Sequence, residues 1–252
     1  MCTLTIAWQA FDAAPVVVAA NRDEALDRPS KPPGVVDGDP AFVAPRDSDA
    51  GGTWVGYNDR GVFVGITNRW VDVEGGGERS RGQLVVDVLR AESAADARET
   101  VESAVEEDVY DGFNLVVADA DDAFVFEWDG SLVTTRLDPG VHVVVNVGYD
   151  GDFFEPARRP EAGREQADNA RRVREALEPR TAPRPESPEE WRDRAASVLG
   201  DHEYGVCVHD PEGRYGTRSS SLITLWADGG AEYAFAPGPP CETPYERVES
   251  QV

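Results

Sequence analysis

The sequence predicts an α+β chain: two antiparallel sheets, face to face and each covered by helices, as a four-layer αββα sandwich. Three observations carry that expectation. Strand-like segments recur as hairpin pairs, amphipathic helical segments come in twos, and no stretch has the βαβ rhythm of a parallel sheet. With 252 residues, 40% of them hydrophobic, the chain can bury a large core and is read as one domain over 1–252.

The first hairpin is the most informative element. Residues 2–8 alternate, the stretch Phe11 to Pro15 punctuates, and Val16-Val17-Val18-Ala19-Ala20 is a β-branched run ending in Asn21-Arg22-Asp23-Glu24. A turn centred near Asp12 pairs positions summing to about 24, which sets Cys2 opposite or diagonal to Arg22. A slip of register by about two residues still leaves the thiol beside Asn21, Arg22 and Asp23.

The proline-rich stretch 28–45 reads as an irregular loop. Residues 53–57 and 62–68, joined by the turn Asn58-Asp59-Arg60-Gly61, form a second hairpin that ends on Asn68. Gly75-Gly76-Gly77 is a flexible connection, and no Gly-Lys-Ser/Thr follows it to make a phosphate loop. Leu84, Val85, Val88 and Leu89 share one helical face, and Ala94, Ala97, Val101, Ala104 and Val105 form a second stripe, so 82–107 holds two helices. Strands follow at 113–118, 123–128, 132–137 and 141–147, the last containing Asn146. Helices at 163–177 and 188–199 flank the linker 178–187, and strands at 204–209, 220–226 and 231–235 precede a polar tail.

Charge excludes whole classes of partner. The 48 Asp and Glu outnumber 24 Lys and Arg, the net charge is -24, and Lys31 is the only lysine. Such a field repels phosphate backbones and anionic lipid heads, so neither nucleic acid nor a membrane surface is an expected partner. Acidity with almost no lysine points to adaptation to high salt, where screening shortens to about 3 Å near 1 M. No apolar run reaches the ~20 residues of a membrane span. No apolar leader follows the N-terminus, and Cys2, Cys207 and Cys241 form no CxxC, so a reduced cytoplasmic setting is expected. His142, His202 and His209 stand in no metal-ligand spacing with a Cys or carboxylate. Neither a metal nor a cofactor is expected, and the oligomeric state is open.

Polar residues at strand ends suggest a site. A small second residue favours removal of Met1, which makes Cys2 the first residue, with thiol and α-amine on one carbon skeleton. An α-amine titrates near pH ~8 and can take the thiol proton. A cysteine attacking an amide needs a depressed pKa, which an arginine can supply, and oxyanion donors, which asparagine amides or strand-end N–H groups can supply; Asn21, Arg22, Asn68 and Asn146 all stand at strand ends. Asp23 and Arg218 complete the set.

The stretch Val18-Ala19-Ala20-Asn21-Arg22-Asp23-Glu24, preceded by Met1-Cys2 and followed by Arg28-Pro29-Ser30, resembles the NRDE family, also called the transport and Golgi organisation family. Gly51-Gly52-Thr53-Trp54-Val55-Gly56, Gly65-Ile66-Thr67-Asn68, Ser80-Arg81-Gly82, Gly112-Phe113-Asn114-Leu115 and Tyr215-Gly216-Thr217-Arg218 follow in the family's order. The resemblance covers essentially the whole chain. It implies an N-terminal nucleophile (Ntn) hydrolase-like αββα sandwich, distantly similar to choloylglycine hydrolases and penicillin V acylases. It further implies that Cys2 attacks a linear amide, that Arg22 lowers the thiol pKa, and that Asp23 holds the α-amine and substrate. Asn68 and Asn146 match the oxyanion-binding residues, and Asn21, Trp54 and Arg218 are the implied substrate-binding positions. In the acylases two residues separate the Arg from the Asp, whereas Arg22 and Asp23 are adjacent, so either a bulge shifts them or Asn21 shares the role.

The resulting expectation is hydrolysis of a linear C–N amide bond in a small acylated substrate. The alternative is a non-catalytic haem- or lipid-binding trafficking protein, with Cys2 or the pair Cys207 and His209 as axial ligands. A glutamine-hydrolysing amidotransferase domain usually continues Cys-Gly-Ile, whereas here Thr3-Leu4 follows Cys2.

Overall fold

The computed structural model describes residues 2–77, 79–181, 184–249 and 252. The expected removal of Met1 therefore concerns a residue outside those described. In chain order the strands and helices begin β1 (Thr3–Phe11), β2 (Ala14–Ala25), β3 (Ser30–Val36), β4 (Phe42–Asp47), β5 (Val55–Asn58), β6 (Phe63–Asn68), α1 (Arg81–Val88) and α2 (Ala94–Glu107). Then come β7 (Phe113–Ala118), β8 (Ala123–Trp128), β9 (Leu132–Arg136), β10 (Gly140–Val145), β11 (Gly148–Tyr149) and β12 (Asp152–Phe153). The chain finishes with α3 (Pro160–Leu177), α4 (Pro188–Gly200), β13 (Tyr215–Leu225), β14 (Ala231–Ala236) and β15 (Glu246–Arg247). Among the described residues no helix is long and apolar enough to cross a membrane.

The trace divides into two compact units, Met1–Arg28 with Pro139–Val248, and Pro29–Asp138 with Glu249–Val252. The first holds an antiparallel sheet ordered β12-β11-β10-β1-β2-β13-β14-β15, the second a sheet ordered β3-β4-β5-β6-β7-β8-β9. Helix α3 packs on β10 and α4 on β2 and β13; in the second unit α1 packs on β6 and α2 on β7 and β8. The α+β class, two antiparallel sheets with helices in pairs, is as expected.

In the first unit the hairpin has the anticipated register. Thr3 pairs with Asn21 and Trp8 with Val16, and the ladder shifts only between Trp8 and Phe11, where Gln9 adopts φ 46°. One step beyond Thr3, Cys2 lies opposite Arg22. Helix α4 starts with a capping box, Ser187 accepting from the Glu190 N–H and Glu190 accepting from the Ser187 N–H, with Pro188 in the first turn. Trp191 is fully buried, meets Phe11 edge to face, and donates its indole N–H to the Leu177 carbonyl at the end of α3.

In the second unit the apolar faces of α1 and α2 close over Phe42, Val62, Val64, Phe113, Leu115 and Val117. Ser80 and Ser93 cap the two helices. A side chain on Gly52 would overlap the Gly82 backbone, and the Thr53 N–H donates to the Gly82 carbonyl. That close approach joins the Gly51-Gly52-Thr53 and Ser80-Arg81-Gly82 motifs. Asn58 is buried and fully bonded, donating to the Leu89 and Ala91 carbonyls just past α1 and accepting from the Arg60 and Val62 N–H groups.

Three expectations need correction. The stretch 28–45 is not a loop: it carries β3 and β4, and its prolines 32 and 33 fall where the pairing shifts between Lys31 and Gly34 of an exposed edge strand. Residues 204–209 are not a strand: Tyr204 closes a 3₁₀ turn begun at His202, Gly205 takes φ 67° in the left-handed region, and only His209 bridges to Gly216. The strand expected over 141–147 ends at Val145, because Gly148 and Asp150, both at positive φ, fold β11 and β12 back as a small hairpin.

Candidate active site at the N-terminal cysteine

The first unit brings Cys2, Arg22, Asp23, Asn146 and Arg218 to one end of the central strands of its sheet. The Cys2 N–H donates to Asn146 Oδ1 at 3.0 Å, and the thiol faces the Asp23 carbonyl at 3.6 Å. Asn146 is only 1% exposed and follows directly on β10. Its Oδ1 accepts a second hydrogen bond, at 2.9 Å, from Gln166 on α3, which fixes the amide orientation. Asp23, 4% exposed, accepts from the Thr217 hydroxyl at 2.6 Å, and Tyr215 donates to the Asp23 carbonyl at 2.9 Å. Arg22, 6% exposed, lies 3.8 Å from the Glu24 carboxylate, itself 3.7 Å from Arg28.

A bulge does mark this end of the strands, but in the strand next to β2. Asp23 pairs with Thr217 and Arg22 with Ser219, so Arg218 is the extra residue of β13. Arg218 donates to the Arg28 carbonyl at 3.3 Å, while its buried Nε has no hydrogen-bond partner among the described residues. Asn21 does something else. It donates to the Leu199 and Val206 carbonyls and so ties β2 to the end of α4, as Asn58 does for α1. Asn68, exposed at the end of β6 opposite Phe113, and Trp54, half-buried ahead of β5, belong to the second unit.

Burial dominates the electrostatics. It pushes the Cys2 thiol above its ordinary range, the Asp23 carboxylate adds to the rise, and the Asp23 carbonyl contact and the Arg22 charge oppose it. Burial also raises the Asp23 carboxyl, against the Thr217 hydrogen bond. A carboxyl raised on folding adds stability below its unfolded pKa and loses it as pH climbs through the folded value. Asp23→Asn therefore melts at a higher temperature than the parent near neutrality, and the difference closes as pH falls toward about 4. Melting curves over that pH range check this, and a variant less stable than the parent at neutral pH contradicts it.

Sequence reasoning passed over Gln166, Thr217 and Tyr215 as positioning residues. Gln166 had a readable signal, since it interrupts the stripe Gly163, Ala167, Ala170, Val173 that faces the sheet. A second group was invisible to spacing. Cys207 and His209, expected together in one strand, lie in the irregular segment after the 3₁₀ turn with Cys207 Sγ 3.7 Å from His209 Nε2, and His202 and Cys241 join them.

A family model described as Transport and Golgi organisation 2 matches residues 1–234. The Transport and Golgi organization protein 2 homolog of Bos taurus is 27% identical over 245 residues, 87% of each chain. The structure is similar to penicillin V acylase from Agrobacterium tumefaciens, with TM-score 0.54 and 17% identity over 94% of this chain and 83% of that one. It is also similar to the Caenorhabditis elegans ortholog of N-acylethanolamine-hydrolyzing acid amidase, with TM-score 0.57 and 13% identity over 88% and 92%. At those identities the likeness is one of fold, and the fold is Ntn-hydrolase-like. With nearly its whole length matched by one family model, the chain belongs to the Transport and Golgi organisation 2 family.

Proposed function

We propose that the chain is an N-terminal-cysteine hydrolase of a linear C–N amide bond in a small acylated substrate, working in a salty, reducing cytoplasm. The hydrogen bond from the Cys2 nitrogen to Asn146 Oδ1 carries this reading. Once Met1 is removed, that nitrogen becomes the α-amine, held by a side chain that α3 itself positions. The amine takes the thiol proton, and the thiolate attacks the amide carbonyl. The tetrahedral intermediate collapses as the protonated amine passes its proton to the leaving nitrogen, which departs and leaves a thioester on Cys2. Water then attacks the thioester with the α-amine as base, releasing the carboxylic acid and restoring the thiol.

Asn146 accepts through Oδ1, so its NH₂ side is turned from the amine and suits a developing oxyanion. Arg22 opposes the burial cost of the thiolate. The unpartnered Nε of Arg218 suits a polar group of the substrate. The roles of Asn68 and Trp54 rest on the motif alone.

The test is amine release from N-acyl amino acids, penicillin V and conjugated bile acids in concentrated KCl, with intact mass measured on the same preparation. The expected result is a chain lacking Met1 that releases amine, with at least a ~10³-fold loss in Cys2→Ala. Retention of Met1, or release indifferent to Cys2→Ala, overturns the proposal.

A further inference from the structure

His202, Cys207, His209 and Cys241 each present one ligand atom, and the four atoms lie within 4.8 Å of one another. Three loop devices bring them together. Asp201 caps the 3₁₀ turn that carries His202, accepting from the Glu203 N–H at 2.9 Å. Gly205, left-handed at φ 67°, ends the turn that carries His202 and leads the chain into Cys207 and His209, and the His209 bridge to Gly216 anchors that segment against β13. Cys241 sits in the turn after β14 in which the Glu242 and Thr243 N–H groups both reach the Pro239 carbonyl.

The spacing suits one ion. His209 Nε2 lies 3.2 Å from Cys241 Sγ and 3.7 Å from Cys207 Sγ, and the His202 ring meets the His209 ring edge-on at 5.1 Å. A tetrahedral zinc with bonds of about 2.3 Å to sulfur and about 2.0–2.1 Å to nitrogen separates S from N by about 3.6 Å. The donor set is two thiols and two imidazoles, with no carboxylate, which favours zinc over magnesium or calcium. Four protein donors leave no open position, the pattern of a structural rather than a catalytic site.

We propose that His202, Cys207, His209 and Cys241 form a structural Zn²⁺ site. Binding displaces the two thiol protons and clips the turn at 239–243 onto the segment 202–209. That segment backs the candidate active site. Asn21 donates to its Val206 carbonyl, and Thr217 accepts from the Val208 N–H at 2.8 Å while donating to Asp23. The ion thus fastens the support of Asp23 without touching substrate. It stands independently of the hydrolase reading, because its readout is metal binding.

The test uses the reduced, untagged full chain and Co²⁺ as the spectroscopic probe, displaced by Zn²⁺. The expected result is one equivalent of Co²⁺ with the visible bands of tetrahedral cobalt and a near-ultraviolet thiolate band, both bleached by one equivalent of Zn²⁺. Cys207→Ser and Cys241→Ser each weaken binding by ~100-fold or more. Zn²⁺ raises the melting temperature of the parent and of neither variant. Cys241 is exposed, so Cys241→Ser folds, and it melts with the metal-free parent in chelator. Absence of the cobalt bands in the reduced parent, or tight binding that survives Cys241→Ser, overturns the proposal.

Discussion

Freeing the Cys2 nitrogen turns a quiet thiol into a reactive one. Burial holds that thiol above the ordinary cysteine range while a peptide bond occupies its nitrogen, and the nearby Asp23 carboxylate works in the same direction. Each pKa unit above the working pH costs a factor of ten in thiolate, so an N-terminally extended chain alkylates at Cys2 more slowly near neutrality than an exposed cysteine does. Proteolytic removal of the extension, leaving Cys2 first, puts an amine with a pKa near 8 on the Asn146 carboxamide. Its neutral form then takes the thiol proton as attack proceeds. Iodoacetamide labelling, read on the Cys2 peptide by mass spectrometry, shows at least a ~10-fold gain at pH 7.5, with the inflection falling to about 8. The other thiols do not confuse this measurement. Cys207 is pushed up to about 12, chiefly by burial, and Cys241 lies on a different peptide. Equal labelling of the extended and trimmed chains means that the amine is not the base.

The parts of this site readable in the sequence are those set by local pattern. The alternation of residues 2–8 and the β-branched run 16–20 fix a hairpin register, and that register alone sets Cys2 opposite Arg22. Helices α1, α2 and α4 announce themselves by stripe and cap, with Ser80, Ser93 and Ser187 ahead of them, and α3 by its stripe with Pro160 in the first turn. What sequence could not supply is convergence between distant segments. Nothing local says that Asn146 meets Gln166, that Thr217 meets Asp23, or that Cys241 comes within reach of His209 across the whole of β13 and β14. Proline misled in the opposite direction. Residues 32 and 33 look like loop formers, yet an edge strand accommodates them at a shift in its pairing. Asn21 shows the limit of a motif: beside two residues of the candidate site, it spends both amide hydrogens on the backbone carbonyls that α4 and the following turn leave over.

The melting temperature rises by on the order of 10 °C between 0.1 and 2 M KCl, which corresponds to relief of roughly 3–5 kcal/mol of self-repulsion in a chain of this size. The repulsion comes from a net charge of -24. Its arginines are already engaged: Arg60 spans Asp39, Asp59 and Glu92, and Arg79 spans Asp87 and Asp108. Pairs in direct contact, such as Arg60 with Glu92 at 2.8 Å, lie within even the ~3 Å screening length of molar salt and keep part of their attraction. Carboxylates between ~3 and ~10 Å apart repel one another in dilute buffer and are screened from one another in molar salt. Salt therefore removes repulsion faster than attraction, and the balance moves toward the folded state. Sucrose separates this from preferential exclusion, because it strengthens burial without screening charge. A melting temperature that ignores KCl, or that sucrose raises as far as KCl does, means the acidic surface is not what limits stability at low salt.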